Sequence, residues 1–438
     1  MNLRIGIIWL GMLIIAGCAT SPKQGTRGAE WLALNTRTLQ LYESGALDEA
    51  LTSARQSLEI ARTFRPAENA DLATSLHNLG IVQTARGVYD EAESALREAL
   101  RLREQQLGPN HSETATSLAG LGTLLAARGN DAAAEDLLLR ALEIWGQGGS
   151  VPPAASEAMA TVAEIYRRKG LRTEAVEMMR KAVDARQKAL GLQDHLLARL
   201  LLRLARVNLD AGRLEDALVA ARRAEDIARD LDQRLYAQAL AMDGEVALAQ
   251  KKFSEAESAL SHAVAILQGL GPSALGPLAD ALLAQGQLLL ATNRPGPAAE
   301  AFKRALDIRE RILPPNHLDI AVAAGFVGQA AYAAGNLQQA MELFTEALTI
   351  SRKTLGPDDL DIAQILFNLG VVHRRLGNLE RAETMLSQAL EIRQKRLGDR
   401  HPLTVQAMES LARTLEERGD AARATYLRER LEMLRPPQ

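Results

Sequence analysis

Leu79-Gly80, Gly87, Ala92, Leu96 and Ala99-Leu100 return 42 residues later as Leu121-Gly122, Gly129, Ala134, Leu138 and Ala141-Leu142. The same frame reappears near the far end as Leu369-Gly370, Gly377, Ala382, Leu386 and Ala389-Leu390. One position anchors the series: Gly45, Gly87, Gly129, Gly170, Gly212, Lys251, Asn293, Gly335, Gly377 and Gly419. Successive separations are 42, 42, 41, 42, 39, 42, 42, 42 and 42 residues. A period of this length, sustained from about residue 31, means stacked copies of one small unit rather than a few unrelated domains.

Each unit reads as two helices. In the second unit, Leu76, Leu79 and Gly80 lie at helical spacing between Leu72 and Arg86, and Gly87 closes that helix in a left-handed backbone. A second helix runs from Tyr89 to Leu107, with Ala92, Leu96, Ala99 and Leu100 on one stripe. Small residues at Gly80 and Ala92 fall where the paired helices cross. Apolar residues make up 47% of the chain but aromatics only 3%, so the apolar mass is Ala and Leu, which favour helix and close approach. An isolated pair cannot bury its apolar face; stacked neighbours can.

This pattern resembles the tetratricopeptide repeat. The joint phrases Leu107-Gly108-Pro109-Asn110-His111, Leu355-Gly356-Pro357-Asp358-Asp359 and Leu397-Gly398-Asp399-Arg400-His401-Pro402 look like the kinesin-light-chain type, with its longer second helix. The resemblance covers roughly residues 31–433 and implies an all-α, right-handed α-solenoid of about ten helix-turn-helix repeats. Gly146–Pro153 and Gly269–Pro277 are the joints richest in Gly and Pro and suggest bends. They divide the array into blocks 30–145, 146–270 and 271–438.

The N-terminus carries a separate signal. Arg4 precedes an apolar run from Ile5 to Ile15, too short to span a bilayer, followed by Ala16-Gly17-Cys18. Ile15-Ala16-Gly17-Cys18 resembles the lipobox of bacterial lipoproteins, and Cys18 is the only cysteine. The resemblance implies a signal peptide over 1–17, lipidation of Cys18 and a lipidated tether over 18–29. Residue 19 is Ala rather than Asp, which by the lipoprotein sorting pattern implies an outer membrane anchor facing the periplasm.

Charge balance and the absence of catalytic motifs narrow the function by exclusion. With 51 basic against 54 acidic residues, the chain lacks the basic excess of a general nucleic-acid binder. No zinc-protease, Walker, dinucleotide or nucleophile-elbow motif is present, so the chain reads as a non-enzyme with no cofactor. His111, His317 and His401 recur in the same joint and are spread along the array, which favours helix entry over metal ligation. In that reading Asn110 and Asn316 cap the following helices.

What remains is the face lined by the first helices, where the resemblance implies that peptides or partner domains bind. Candidate partner-binding residues there are Asn78, Arg199, Arg203, Arg206, Phe326, Tyr332, Phe367, Asn368 and Arg375. The arginines suit acidic groups, and the aromatics suit anchoring. The expectation is a membrane-tethered scaffold binding other envelope proteins or peptides. The alternative is a module for a small ligand, a peptide or cell-wall fragment.

Overall fold

The computed structural model describes residues 22–64, 70–148, 152–191 and 194–434. Signal peptide and Cys18 lie outside them. The described residues form twenty α-helices and no strand, and the chain divides into two units between Arg128 and Gly129. The first unit holds α1 (Pro22–Ser44), α2 (Leu47–Arg62), α3 (Ala70–Ala85), α4 (Tyr89–Leu107) and α5 (Ser112–Ala127). The second begins with α6 (Asp131–Gln147), α7 (Pro153–Arg168), α8 (Arg172–Leu190), α9 (His195–Asp210) and α10 (Leu214–Ala228). It continues through α11 (Gln233–Ala249), α12 (Phe253–Gly269), α13 (Leu275–Ala291), α14 (Pro295–Ile312) and α15 (Leu318–Ala333). Its last five are α16 (Leu337–Thr354), α17 (Leu360–Arg375), α18 (Leu379–Leu397), α19 (Pro402–Arg418) and α20 (Ala421–Leu434). Helix α1 starts at Pro22, a residue tolerated in a first helical turn, so the tether expected over 18–29 gives way to helix from that point.

All ten turn positions have positive φ, and the two departures from glycine obey the rule as well: Lys251 at 62° and Asn293 at 58°. The turn dictates the backbone, and a non-glycine residue there bears a cost of about 1–2 kcal/mol. The short 39-residue spacing is absorbed by α10, which has 15 residues where α4, α8 and α18 have 19.

Helix crossings explain the small residues. A Cβ on Gly80 would lie 2.9 Å from Leu96 Cδ2 and 3.3 Å from the Ala92 carbonyl oxygen. Gly244 meets Leu260, Gly286 meets Phe302 and Gly370 meets Leu386 in the same way. Where the first helix carries Ala205, the facing residue shrinks to Ala221. Each buried leucine at such a crossing contributes about 1.5–3 kcal/mol.

The joint at 269–277, expected as a bend, contains a 3₁₀ turn (Gly271–Ala274) whose Ala274 is fully buried. It belongs to one core running from Ala237 to Ile350, so a block boundary at 270/271 would cut through continuous packing. Gly271–Ala291 is long and apolar enough to cross a membrane, but half of that apolar stretch is buried within the protein, as befits a core helix.

The joints also correct the capping assignment. His111, His317 and His401 are themselves the caps: each Nδ1 accepts the amide N–H two residues on, at 3.1, 3.2 and 3.2 Å. Asp194, Asp232 and Asp359 cap α9, α11 and α17 by the same geometry. Asn316 instead sits in the left-handed region at φ 69° and accepts from Lys353 Nζ.

Candidate functional site

In the second unit the first helices α9, α11 and α13 lie against one another and enclose an open pocket of about 380 Å³. Its floor is apolar: Leu202, Leu235, Ala241, Met242, Pro277 and Ala281. Its polar wall consists of Arg199, Arg203, Arg206, Gln238, Glu245 and Asp280. The pocket is a column effect of the repeat. Arg199, Gln238 and Asp280 each stand thirteen residues before their turn residue, and Arg203 and Met242 nine before theirs. The sequence reading found the arginines and missed the apolar floor and the acids, although reading the same columns across three units would have collected them.

The three arginines differ in what they already hold. Arg206 makes a two-pronged contact with Glu245, at 2.5 and 2.6 Å, linking α9 to α11. Burial alone would lower the Arg206 pKa, but Glu245 and then Asp210 hold it above its ordinary value. Arg203 donates to Glu157 of α7 at 3.2 Å. Arg199 is exposed and has no ion-pair or hydrogen-bond partner among the described residues. On the opposite side, Arg309 pairs with both Asp280 and Asp319. The groove walls push the Asp280 carboxyl upward against the opposing pull of Arg309. That push comes from the walls and not from full burial, since 65% of the Asp280 side chain remains exposed.

The aromatic candidates present another picture. Phe367 is buried at 8% exposure, with the Arg393 guanidinium 4.6 Å above its ring. It is therefore packing, not an open anchor. Phe326 is half-buried and stacks on the buried Phe302 with centroids 5.2 Å apart. Tyr332 lies under Arg375 at 5.9 Å. Asn368 accepts from Gln364, which in turn accepts from Arg393. In the first unit Asn78 is buried and donates to Asn35 Oδ1 at 2.7 Å, so it joins α3 to α1 and offers no grip to a ligand. The structure brings Arg199, Arg203 and Arg206 together, pairs Tyr332 with Arg375, and assigns Asn78 and Phe367 to the interior.

A second set of arginines escaped the sequence reading altogether. Arg103, Arg186, Arg309 and Arg393 are all buried, each sixteen residues after its turn residue. Arg103 donates to the Glu113 carbonyl at 3.1 Å and Arg393 to the Leu403 carbonyl at 2.7 Å, in each case ten residues ahead. Arg186 reaches Asp194 instead. These side chains fasten a second helix to the entry of the next pair. Burial lowers the Arg393 pKa to about 10. The signal was an arginine at fixed phase inside an apolar stripe.

Among the described residues no three His, Cys, Asp or Glu side chains converge as metal ligands. Paired helices at a fixed period, left-handed turns between them and a groove on the first-helix face define an α-solenoid of the protein-interaction class. Tetratricopeptide-repeat sequence profiles match residues 33–105, 71–147, 155–230, 319–395 and 361–435, and a second profile of the same repeat matches 278–319. The chain belongs to the tetratricopeptide-repeat family, whose members are protein-interaction scaffolds.

Solved structures similar to it include BtubC (BKLC) from P. vanneervenii, 21% identical over 51% of this chain and 94% of that one, with a TM-score of 0.45. A putative kinesin light chain of Podosopora anserina with nearly identical TPR-like repeats is 18% identical over 55% of this chain and 96% of that one, at TM-score 0.33. The apo form of RapI is 13% identical over 65% of this chain and 98% of that one, at TM-score 0.48. No curated protein matches the chain significantly in sequence.

Proposed function

We propose that this protein is a lipid-tethered interaction scaffold of the bacterial envelope. Acyl chains on Cys18 hold it at a membrane surface, most simply the periplasmic side of the outer membrane given Ala19. The first-helix face of the second unit receives partner proteins or peptides. Tethering confines the search to the membrane and raises the effective concentration of partners there. The observation that carries this reading is the pocket on α9, α11 and α13, with an apolar floor and an arginine that holds nothing.

The test is photo-crosslinking in cells from position 238, inside the pocket, with position 219 on the exposed face of α10 as control. A defined protein adduct from position 238 alone supports the scaffold and names the partner. Equal adducts from both positions, or none from either, count against it. Metabolic acyl labelling lost in Cys18→Ser tests the tether, and labelling that survives the substitution refutes it.

The pocket volume also falls within the range of small-ligand sites, which supports a second reading, binding of a short peptide or cell-wall fragment. That reading expects saturable binding and a raised melting temperature.

A further inference from the structure

Among the residues lining the α9–α13 pocket, a cation without a partner stands at one end and an acid that shares its cation stands at the other. At the α9 end, Arg203 and Arg206 are occupied by Glu157 and Glu245, which leaves Arg199 as the free cation. At the α13 end, one guanidinium, Arg309, serves two carboxylates, Asp280 and Asp319. That trio carries one net negative charge, and Asp280 is the member facing the pocket. Between the ends, the same column holds the neutral Gln238, above an apolar floor of Leu202, Leu235 and Met242. Along one repeat column the wall therefore runs from positive through neutral to negative.

We infer that this pocket selects an extended peptide segment of mixed charge, with a side-chain carboxylate at Arg199, aliphatic side chains on the floor and a cationic side chain at Asp280. The inference rests on the reading of this face as a partner groove and specifies what it recognises. A run of acidic residues fits poorly, because Asp280, which shares Arg309 with Asp319, would face its far end. A purely basic segment fails for the converse reason at Arg199. Spacing follows from helix packing. Adjacent helix axes lie about 8–10 Å apart, so α9 to α13 spans about 16–20 Å, or roughly five to six residues of extended chain. The acid and the base of the ligand stand that far apart, with aliphatic residues between.

Four fluorescein-labelled octapeptides test this, each with blocked ends and two central leucines. Their charged positions, five apart, carry Glu/Lys, Glu/Glu, Lys/Lys or Gln/Gln. The full-length protein should bind the Glu/Lys peptide at least about tenfold more tightly than the other three, the scale of one charge-assisted hydrogen bond. Arg199→Glu makes both ends acidic and should move first place to the Lys/Lys peptide. Because Arg199 is exposed, this variant keeps its fold, which circular dichroism checks. Comparable binding of Glu/Glu and Glu/Lys overturns the inference, and so does an unchanged preference in Arg199→Glu. If no peptide binds while position 238 still yields a protein adduct in cells, the mixed-charge inference falls and the scaffold stands. If both fail, the reading beneath falls as well.

Discussion

Two stretches of the same face, α9–α13 and α15–α17, attract attention for different reasons and end in different states. The α9–α13 stretch has an open pocket and an arginine with nothing to hold. The α15–α17 stretch has the aromatic side chains expected of an anchor zone, yet its own chain has closed over them. Arg393 covers Phe367, Arg375 lies over Tyr332, and Phe302 stacks on Phe326. Aromatic content marks a binding surface only when no neighbour has claimed the ring. A cation already spent in an internal pair is likewise a poor hot spot, because a ligand must first replace the pair it breaks.

The largest effect separating the stretches should be on stability. Phe367→Ala removes a buried ring and leaves a cavity, with an expected loss of about 3–5 kcal/mol. Arg199→Ala removes an exposed side chain without a partner and should stay within about 0.5 kcal/mol of the parent. Urea denaturation followed by circular dichroism reads both. Similar losses for the two variants would erase the distinction between packing and site.

A smaller change probes how the aromatic stretch is kept shut. A Cβ on Gly286 would stand 2.6 Å from Phe302 Cδ1, against the ring that Phe326 stacks on. Gly286→Ala should cost about 1–3 kcal/mol by overpacking and loosen the stack. Adding Phe302→Met should recover part of the loss, because at the same two repeat positions α7 and α8 bury an alanine, Ala163, together with a methionine, Met179. If the double variant is no more stable than Gly286→Ala, ring contact is not the source of the strain.

These contrasts show which levels of the fold were legible. Repeat length, helix pairing and turn positions could be read from the chain because each unit restates them, and Lys251 and Asn293 keep the positive φ of the glycines they replace. The column of Arg199, Arg203 and Arg206 was legible as a basic stretch. Which of the three is free was not, because the answer lies with acids 39 and 46 residues away on neighbouring helices, Glu245 for Arg206 and Glu157 for Arg203. The same holds for Phe367, whose cover, Arg393, comes from the next helix of the array. Periodicity reports what each helix presents and is silent on what its neighbour has already taken.

The smallest effect concerns the joints, whose aspartate and histidine caps differ in their response to pH. Asp194 and Asp232 cap the helices α9 and α11, whereas His317 and His401 cap α15 and α19. An imidazole caps through an unprotonated Nδ1, so protonation removes the acceptor. Burial, then the nearby charges of Arg172 and Arg393, lower the pKa of His401 below its ordinary value of 6.5. The unfolded chain therefore takes up this proton first as pH falls. Its contribution is complete above about pH 6.5 and is lost progressively below it, as pH drops toward the folded value. Asp194 behaves differently: burial raises its pKa, but the hydrogen bond and charge of Arg186 outweigh that and hold it below 3.8, so its cap persists until far more acidic conditions. Hydrogen exchange at pH 7 and pH 5, corrected for intrinsic rates, should show protection at the start of α19 falling while α9 stays protected. The loss should be within the roughly 0.5–2 kcal/mol that a cap supplies. His401→Asn supplies a cap that does not titrate, and it should flatten the response at α19. Equal loss at α9 and α19, or an undiminished response in His401→Asn, would place the pH sensitivity somewhere other than the caps.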